Sequence, residues 1–111
     1  MLPKIRRLNG RAVVTVVKRG NSLFGASLRI KWVFGKGSIS RATVVTPIAF
    51  DKRATRRNRI KRQLREIIAP LLSRINGPVN LVIFVGPKAS GKSFNEIKAE
   101  LLILLKRARL L

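Results

Sequence analysis

A dense group of basic side chains between positions 52 and 65 is the segment best equipped for chemistry with a partner. It contains eight lysines and arginines, which are Lys52, Arg53, Arg56, Arg57, Arg59, Lys61, Arg62 and Arg65. In a helix, Asn58, Arg62 and Arg65 would share one face at spacings of four and three residues. Neighbouring guanidinium groups repel unless anions lie between them, and each can form two hydrogen bonds with one phosphate. The amide of Asn58 can donate and accept, so it could bind a 2′-hydroxyl or a base edge.

The overall charge points to the same kind of ligand. The chain has 111 residues, with 25 lysines and arginines against four acids, and its formal net charge is +21. A charge of this size indicates a polyanionic partner. Because the basic residues stand in apolar, foldable segments rather than in a tail, the pattern favours a folded nucleic-acid binder over a membrane-surface or acidic-protein binder.

The composition also limits what the protein can catalyse by itself. The chain has no cysteine and no histidine, which excludes thiol and imidazole chemistry and most zinc sites. Its four acids are dispersed along the sequence, so they offer little material for a two-metal or carboxylate-pair nuclease site. We therefore predict no catalytic residue and no metal ligand in the protein.

A second motif, at residues 86–93, resembles a phosphate-binding loop. Gly86-Pro87-Lys88-Ala89-Ser90-Gly91-Lys92-Ser93 fits the pattern GxxxxGKS and stands between a predicted strand and a predicted helix. A nucleotide hydrolase of this type also needs a later acidic residue for magnesium, and no aspartate follows Asp51. Nucleotide binding is thus the weakest functional hypothesis, although the loop could hold an RNA phosphate at the start of the helix.

Hydrophobic periodicity predicts the helices and strands that carry these motifs. In the second half, the pattern predicts a helix over 51–68, with Asp51 as its N-cap and a break or kink at Pro70. It then predicts a buried strand over 79–85 and a last helix that Ser93 caps and that runs towards Leu110. In the first half, residues 9–19 suit a short helix or a strand, which periodicity does not separate, and we favour the helix. A strand over 23–34, a hairpin turn at 35–37 and a strand over 39–46 that Pro47 ends are predicted to follow.

The order, αβββαβα or close to it, predicts a single α+β domain over residues 1–111 in which helices pack on a sheet. No apolar run approaches the roughly 20 residues of a membrane-spanning helix. The N-terminus, Met1-Leu2-Pro3-Lys4, lacks the pattern of a secretory signal. We therefore expect a cytoplasmic protein without a membrane partner.

The basic segment resembles the signature of the bacterial ribonuclease P protein family. That signature, Ala-Val-x-Arg-Asn-x-x-Lys-Arg-x-x-Arg-Glu, is matched over residues 54–66 except that Thr55 replaces the valine. The resemblance covers nearly the whole chain, from Leu2-Pro3-Lys4 through the segment 16–20 to the strand at 81–85 and the final helix.

The resemblance implies the fold of the second domain of ribosomal protein S5 and the role of a protein subunit of ribonuclease P. Its partners would be the ribonuclease P RNA and precursor tRNA, with no obligate protein partner, and Mg²⁺ bound by the RNA would assist removal of the 5′ leader. By resemblance, Arg57, Asn58, Lys61, Arg62 and Arg65 contact the catalytic RNA, and we add Lys52, Arg53, Arg56 and Arg59 of the same basic segment.

A cleft bordered by the sheet and the basic helix would hold the single-stranded leader. Its candidate residues are Val13, Val17, Lys18, Arg19, Phe24 and Phe50. Val13 stands where the family usually has a phenylalanine, and Pro47-Ile48-Ala49-Phe50 replaces a Ser-Lys-Lys stretch, so leader binding is expected to be the weaker function. Phe24, Trp32 and Phe50 could supply stacking, although aromatics in such segments are more often core anchors. The alternative function is a structural RNA binder of the ribosomal type.

Overall fold

In a computed structural model that describes residues 6–111, a four-stranded sheet carries one helix on one face and two helices on the other. The elements in chain order are α1 (Gly10–Arg19), β1 (Asn21–Phe24), β2 (Leu28–Phe34), β3 (Arg41–Val45), α2 (Ala54–Leu72), β4 (Val79–Val85) and α3 (Phe94–Arg107). The predicted α+β class and the order αβββαβα are confirmed. The interpretation of Leu2-Pro3-Lys4 lies outside the described residues.

The sheet order is β1-β2-β4-β3, with β4 antiparallel to β2 and parallel to β3. The predicted hairpin at 35–37 is therefore wrong, because β4 lies between the two strands which that turn connects. β4 takes the inner position since Val79, Leu81, Val82, Ile83 and Val85 bury it on both faces. Glycines indicate where the chain turns, but they do not determine whether the two strands joined by that turn pair with each other.

The single strand predicted over 23–34 is in fact a hairpin. β1 pairs antiparallel with β2, from Asn21 opposite Trp32 to Phe24 opposite Arg29. The chain reverses within residues 25–27, where the Gly25 amide donates to the Leu28 carbonyl at 2.7 Å. Gly25 and Ser27 were the available signals of this turn, but they lie inside a segment that is otherwise rich in strand-forming residues.

Two hydrophobic clusters lie on opposite faces of the sheet. The larger one joins the sheet to α2 and α3, and its central side chains include Leu64, Ile68, Ile97, Leu101 and Leu105. The smaller one lies under α1 and consists of Leu8, Val16 and Val82, with partly buried neighbours that include Val13 and Phe84. The predicted apolar stripe of α2 is confirmed as the inner face of that helix.

The helix ends follow capping chemistry, with two corrections. Arg53, not Asp51, is the N-cap of α2, and the Asp51 carboxylate accepts from the Arg53 amide at 2.9 Å. Pro70 does not break α2, which continues to Leu72. Pro70 and Glu66 are both exposed, so water can reach the carbonyl that loses its helical donor. The predicted cap of α3 is confirmed, because Ser93 and Glu96 exchange hydrogen bonds in a capping box.

Within residues 6–111, no helix is both long enough and apolar enough to cross a membrane.

Candidate nucleic-acid interface

Helix α2 separates its polar residues into two edges on either side of its buried stripe. At 3.6 residues per turn, Asn58, Lys61, Arg62 and Arg65 follow one side of the stripe, and we call them the signature edge. Arg56, Arg59 and Gln63 follow the other side, and we call them the pocket edge. The sequence presented these residues as one basic segment. Burial of the stripe turns them into two surfaces that face different neighbours.

The signature edge is open and unengaged. Asn58, Arg62 and Arg65 are exposed, whereas Lys61 is half-buried. No hydrogen bond or ion pair with another described residue engages any of the four side chains. The mutual repulsion of Lys61, Arg62 and Arg65 is therefore not relieved within the described part of the protein, and anions placed between them would relieve it.

Arg57 has a structural role that the sequence did not reveal. Its guanidinium donates to the Asp51 carbonyl at 2.9 Å and to the Lys52 carbonyl at 2.8 Å, and the side chain is half-buried. These bonds hold the turn that leads into α2. Substitution of Arg57 would thus change the shape of the helix entry as well as its charge.

Asp51 partly neutralises the beginning of the basic segment. Its carboxylate lies 3.3 Å from Arg53 Nε and 3.6 Å from a terminal nitrogen of Arg56. The hydrogen bond from the Arg53 amide, supported by the two guanidinium groups, holds the pKa of Asp51 below its usual value. Asp51 is therefore ionised at neutral pH and offsets part of the charge of Arg53 and Arg56, while Lys52 is exposed.

The structure does not bring all the predicted leader-cleft residues together. Val13, Val17, Lys18 and Arg19 belong to α1, and Phe24 pairs with Arg29 on the sheet face that α1 partly covers. Phe50 instead packs against the larger core on the opposite face. The larger core fills the space between the sheet and the inner face of α2, so it leaves no room for the leader there.

The aromatic residues differ in how deeply they are buried. Trp32 is a core residue at 7% exposure, as the composition of its strand indicated, but Phe24 is 67% exposed. The Arg29 guanidinium lies over the Phe24 ring at 5.4 Å and over the Phe84 ring at 4.3 Å. This stack lines a shallow depression of about 330 Å³ that Pro47 borders.

Sequence reasoning missed Arg29 and Phe84 as candidate binding residues. The alternation of Arg29 and Lys31 with Leu28, Ile30 and Trp32 showed that one side of β2 was polar, and this was the available signal. Lys31 Nζ donates to the Val17 carbonyl at 2.9 Å, which ties β2 to the end of α1. Phe84 stood in an apolar run that gave no sign of its partial exposure.

The loop at 86–93 does not form a phosphate cradle. The amides of Ala89, Ser90 and Lys92 donate to carbonyls of the same loop at 3.1–3.2 Å. The Ser93 amide donates to Glu96 in the capping box. These amides are thus unavailable to a nucleotide phosphate, which argues against a P-loop. No group of three or more potential metal-ligating residues occurs within residues 6–111.

Loop residues 89–93 and Phe94 form one wall of a cavity of about 520 Å³. The opposite wall is the pocket edge of α2 together with Ile60 and Phe50. Cations, a side-chain amide and aromatic rings therefore meet between α2 and the start of α3. The sequence singled out the loop but gave no indication that it faces the basic helix.

Comparison with known proteins gives a consistent result. The model of the Ribonuclease P family matches residues 2–109. The ribonuclease P protein component of Pseudanabaena sp. (strain PCC 6903) is 33% identical over 113 aligned positions, which span 100% of this chain and 97% of that protein.

Solved structures extend the similarity to the fold. The ribonuclease P protein of Thermotoga maritima, solved with 1-(4-fluorophenyl)-2-thiourea, superposes with a TM-score of 0.82 at 30% identity. That match covers 91% of this chain and 98% of the other. A ribonuclease P protein of Staphylococcus aureus superposes with a TM-score of 0.86 at 22% identity over 97% and 92% of the two chains, which supports the fold.

Proposed function

Since the chain belongs to the ribonuclease P protein family and is a protein component of that ribonucleoprotein, we propose that the signature edge of α2 is where it binds the ribonuclease P RNA. The observation that carries this proposal is the exposure of Asn58, Arg62 and Arg65 without partners among the described residues. Arg57 supports the edge by holding the turn before α2. Lys52, Arg53, Arg56 and Arg59 add positive charge beside it.

The 5′ leader of precursor tRNA is assigned to the α1 face of the sheet. Phe24 offers an exposed ring, and Arg29 lies between that ring and Phe84. An unpaired base can stack on such a surface, and Lys18 and Arg19 at the end of α1 can neutralise phosphates of the same strand. Val13 and Val17 supply the apolar side of α1, whereas Phe50 is excluded because it lies on the other face.

In this proposal the protein positions RNA and does not cleave it. Ribonuclease P is a magnesium-dependent nuclease, and we assign the magnesium to the RNA subunit. Positive charge on the protein would reduce phosphate repulsion and hence the Mg²⁺ concentration needed for activity. The proposed unit is one RNA-binding domain over residues 1–111 that acts in the cytoplasm on precursor tRNA and needs no further protein partner.

The test is cleavage of a precursor tRNA by a bacterial ribonuclease P RNA at low Mg²⁺. We expect product only when RNA and protein are mixed, and none from the protein alone. The informative variant is Arg62→Ala with Arg65→Ala, because both side chains are exposed and lack structural contacts. Its affinity for the RNA should fall, and the log-log salt slope should decrease in magnitude by between one and two, since each lost phosphate contact contributes about 0.7 to 0.9.

The matched control is Lys106→Ala with Arg107→Ala, which removes the same charge from the exposed end of α3. This control should stay close to wild type in both assays. Equal effects of the two double variants would show that the signature edge attracts RNA only through nonspecific positive charge. A mixture without activity, together with tight RNA binding, would instead favour a structural RNA binder.

A further inference from the structure

The cavity between α2 and α3 is separate from the signature edge and from the α1 face of the sheet, although Arg56 and Arg59 of its lining also add charge beside that edge. Its volume of about 520 Å³ falls within the range of small-ligand pockets. Its lining combines Phe50 and Phe94 with Arg56, Arg59 and Gln63. Aromatic rings, an amide and guanidinium groups in one cavity are the complement of a nucleotide, which has a flat base, a polar base edge and a phosphate.

The aromatic side of the cavity is held in place by the core. Phe50 and Phe94 are both half-buried and pack against the larger hydrophobic cluster, yet both also line the cavity. Ordering these rings on binding would therefore carry little entropic cost, because the core already restricts them. Such rings can stack a base of any identity.

The polar side has groups without partners. Gln63 is half-buried and Arg59 is exposed, and neither side chain forms a hydrogen bond or ion pair with another residue in the described range. A glutamine amide can donate to and accept from one base edge, and a guanidinium can bind a phosphate through two hydrogen bonds. Arg56 forms an ion pair with Asp51 at 3.6 Å, so its main contribution to the cavity is positive charge and not a free hydrogen-bond donor.

The cavity is also distinct from the signature edge. Arg56, Arg59 and Gln63 fall at positions that the family signature leaves unspecified, and they lie across the buried stripe from Arg62 and Arg65. Because Arg59 and Arg62 are neighbours at i and i+3 on α2, RNA bound along the signature edge can present one further nucleotide to this cavity. The loop amides do not contribute either, because their hydrogen bonds are made within the loop and the capping box.

We propose that this cavity receives one unpaired nucleotide of the ribonuclease P RNA. The base packs against Phe50 and Phe94, Gln63 bonds its edge, and Arg59 binds its phosphate. This inference rests on the proposed function, because it assumes that the RNA is already bound along α2. A free nucleotide offers the same chemistry, and the experiment must separate the two sources.

The first experiment measures the affinity of a bacterial ribonuclease P RNA over a salt series. Phe94→Leu removes the ring while retaining apolar bulk, and it should weaken binding about five- to hundredfold. Gln63→Ala should weaken binding about two- to tenfold. Neither variant removes a charge, so both should leave the salt slope unchanged. Arg59→Gln should weaken binding and decrease the magnitude of the slope by about 0.7 to 0.9.

The controls separate this proposal from the proposed function. Wild-type affinity in Gln63→Ala and Phe94→Leu would overturn the nucleotide pocket, and the proposed function would stand if Arg62→Ala with Arg65→Ala still weakened binding. Circular dichroism of each variant verifies folding. If Phe94→Leu fails to fold, Gln63→Ala decides the outcome, since the Gln63 side chain carries no charge and forms no hydrogen bond with another described residue.

A second experiment titrates AMP into the isolated protein and follows backbone amide shifts. We expect no saturation at about 1 mM AMP, because a single nucleotide lacks the contacts that the rest of the RNA provides. Saturation near 1 μM AMP, combined with unchanged RNA affinity of the pocket variants, would assign the cavity to a free nucleotide and overturn its assignment to RNA.

Discussion

At the scale of single residues, one carboxylate joins the last helix to the sheet. Glu100 of α3 accepts from the Ser27 amide at 3.0 Å, the Ser27 hydroxyl at 2.6 Å and the Leu28 amide at 2.6 Å. Lys92 Nζ approaches the same carboxylate at 3.9 Å. Gly25 must remain without a side chain, because a Cβ would lie 2.7 Å from Glu100 Oε2. This one acid therefore fixes the turn between β1 and β2.

Replacing Glu100 should be among the most destabilising changes at a charged residue. Glu100→Ala leaves three donors of Ser27 and Leu28 without an acceptor, and we expect a loss of about 3 kcal/mol in the free energy of unfolding. Urea denaturation measures this loss. Glu66→Ala, at an exposed site on α2, is the control and should change stability by less than about 0.5 kcal/mol. Similar values for the two variants would refute the role assigned to Glu100.

At the scale of elements, each helix end depends on a few polar contacts. Asn9 caps α1 by accepting from the Ala12 amide at 2.8 Å, and the Ser93–Glu96 box begins α3. The pKa of Glu96 lies below its usual value of 4.5, first because the Ser93 amide donates to its carboxylate. The ionised form of Glu96 therefore favours the folded state.

The capping box predicts a pH-dependent contribution to stability. The folded pKa is lowered, so the unfolded chain takes up a proton first, and this contribution is present above about pH 4.5 and lost as pH falls through the folded value. Glu96→Gln can still form the neutral box but cannot ionise. We expect its Tm to lie below that of the wild type at pH 7, with the gap closing under acidic conditions. Thermal unfolding between pH 7 and pH 3 measures this gap, and a constant gap would contradict the assignment.

Element packing also explains why one basic helix can serve two purposes. The buried stripe of α2 faces α3 and the sheet, so the polar residues of the helix flank that stripe on two sides. Arg62 and Arg65 lie on one side, whereas Arg59 and Gln63 lie on the other beside Phe94. The position of each residue around the helix axis, and not its charge alone, thus determines which of the two proposed RNA contacts it makes.

At the scale of the whole molecule, the net charge of +21 acts on both folding and binding. Within residues 6–111 the structure has three ion pairs, and two of them use Asp51. Most of the positive charge is thus balanced only by solvent ions in the isolated protein. Self-repulsion among these charges opposes the compact state, and the same charges attract phosphates.

Salt should therefore affect stability and RNA affinity in opposite directions. Raising NaCl from about 20 mM to about 500 mM shortens the screening length several-fold, which weakens repulsion within the folded protein. We expect a gain of about 1 kcal/mol, or roughly 4 °C in Tm, while affinity for the RNA falls steeply. Circular dichroism melts and filter binding at the same salt concentrations test this pair of effects. A Tm that stays constant or falls would show that repulsion does not limit stability.

The sequence by itself determined the two later helices, the strand at 79–85, the cap at Ser93 and the basic segment, because these depend on periodicity and on contacts between residues a few positions apart. The signature also pointed to the family. The tertiary structure alone decided that β4 separates β2 from β3, that Phe24 is exposed, and that Phe50 faces the pocket edge. These features depend on which apolar segment takes the centre of the sheet and on how each helix is turned above it. Both are set by burial summed over residues distant in sequence, and no local pattern contains that information.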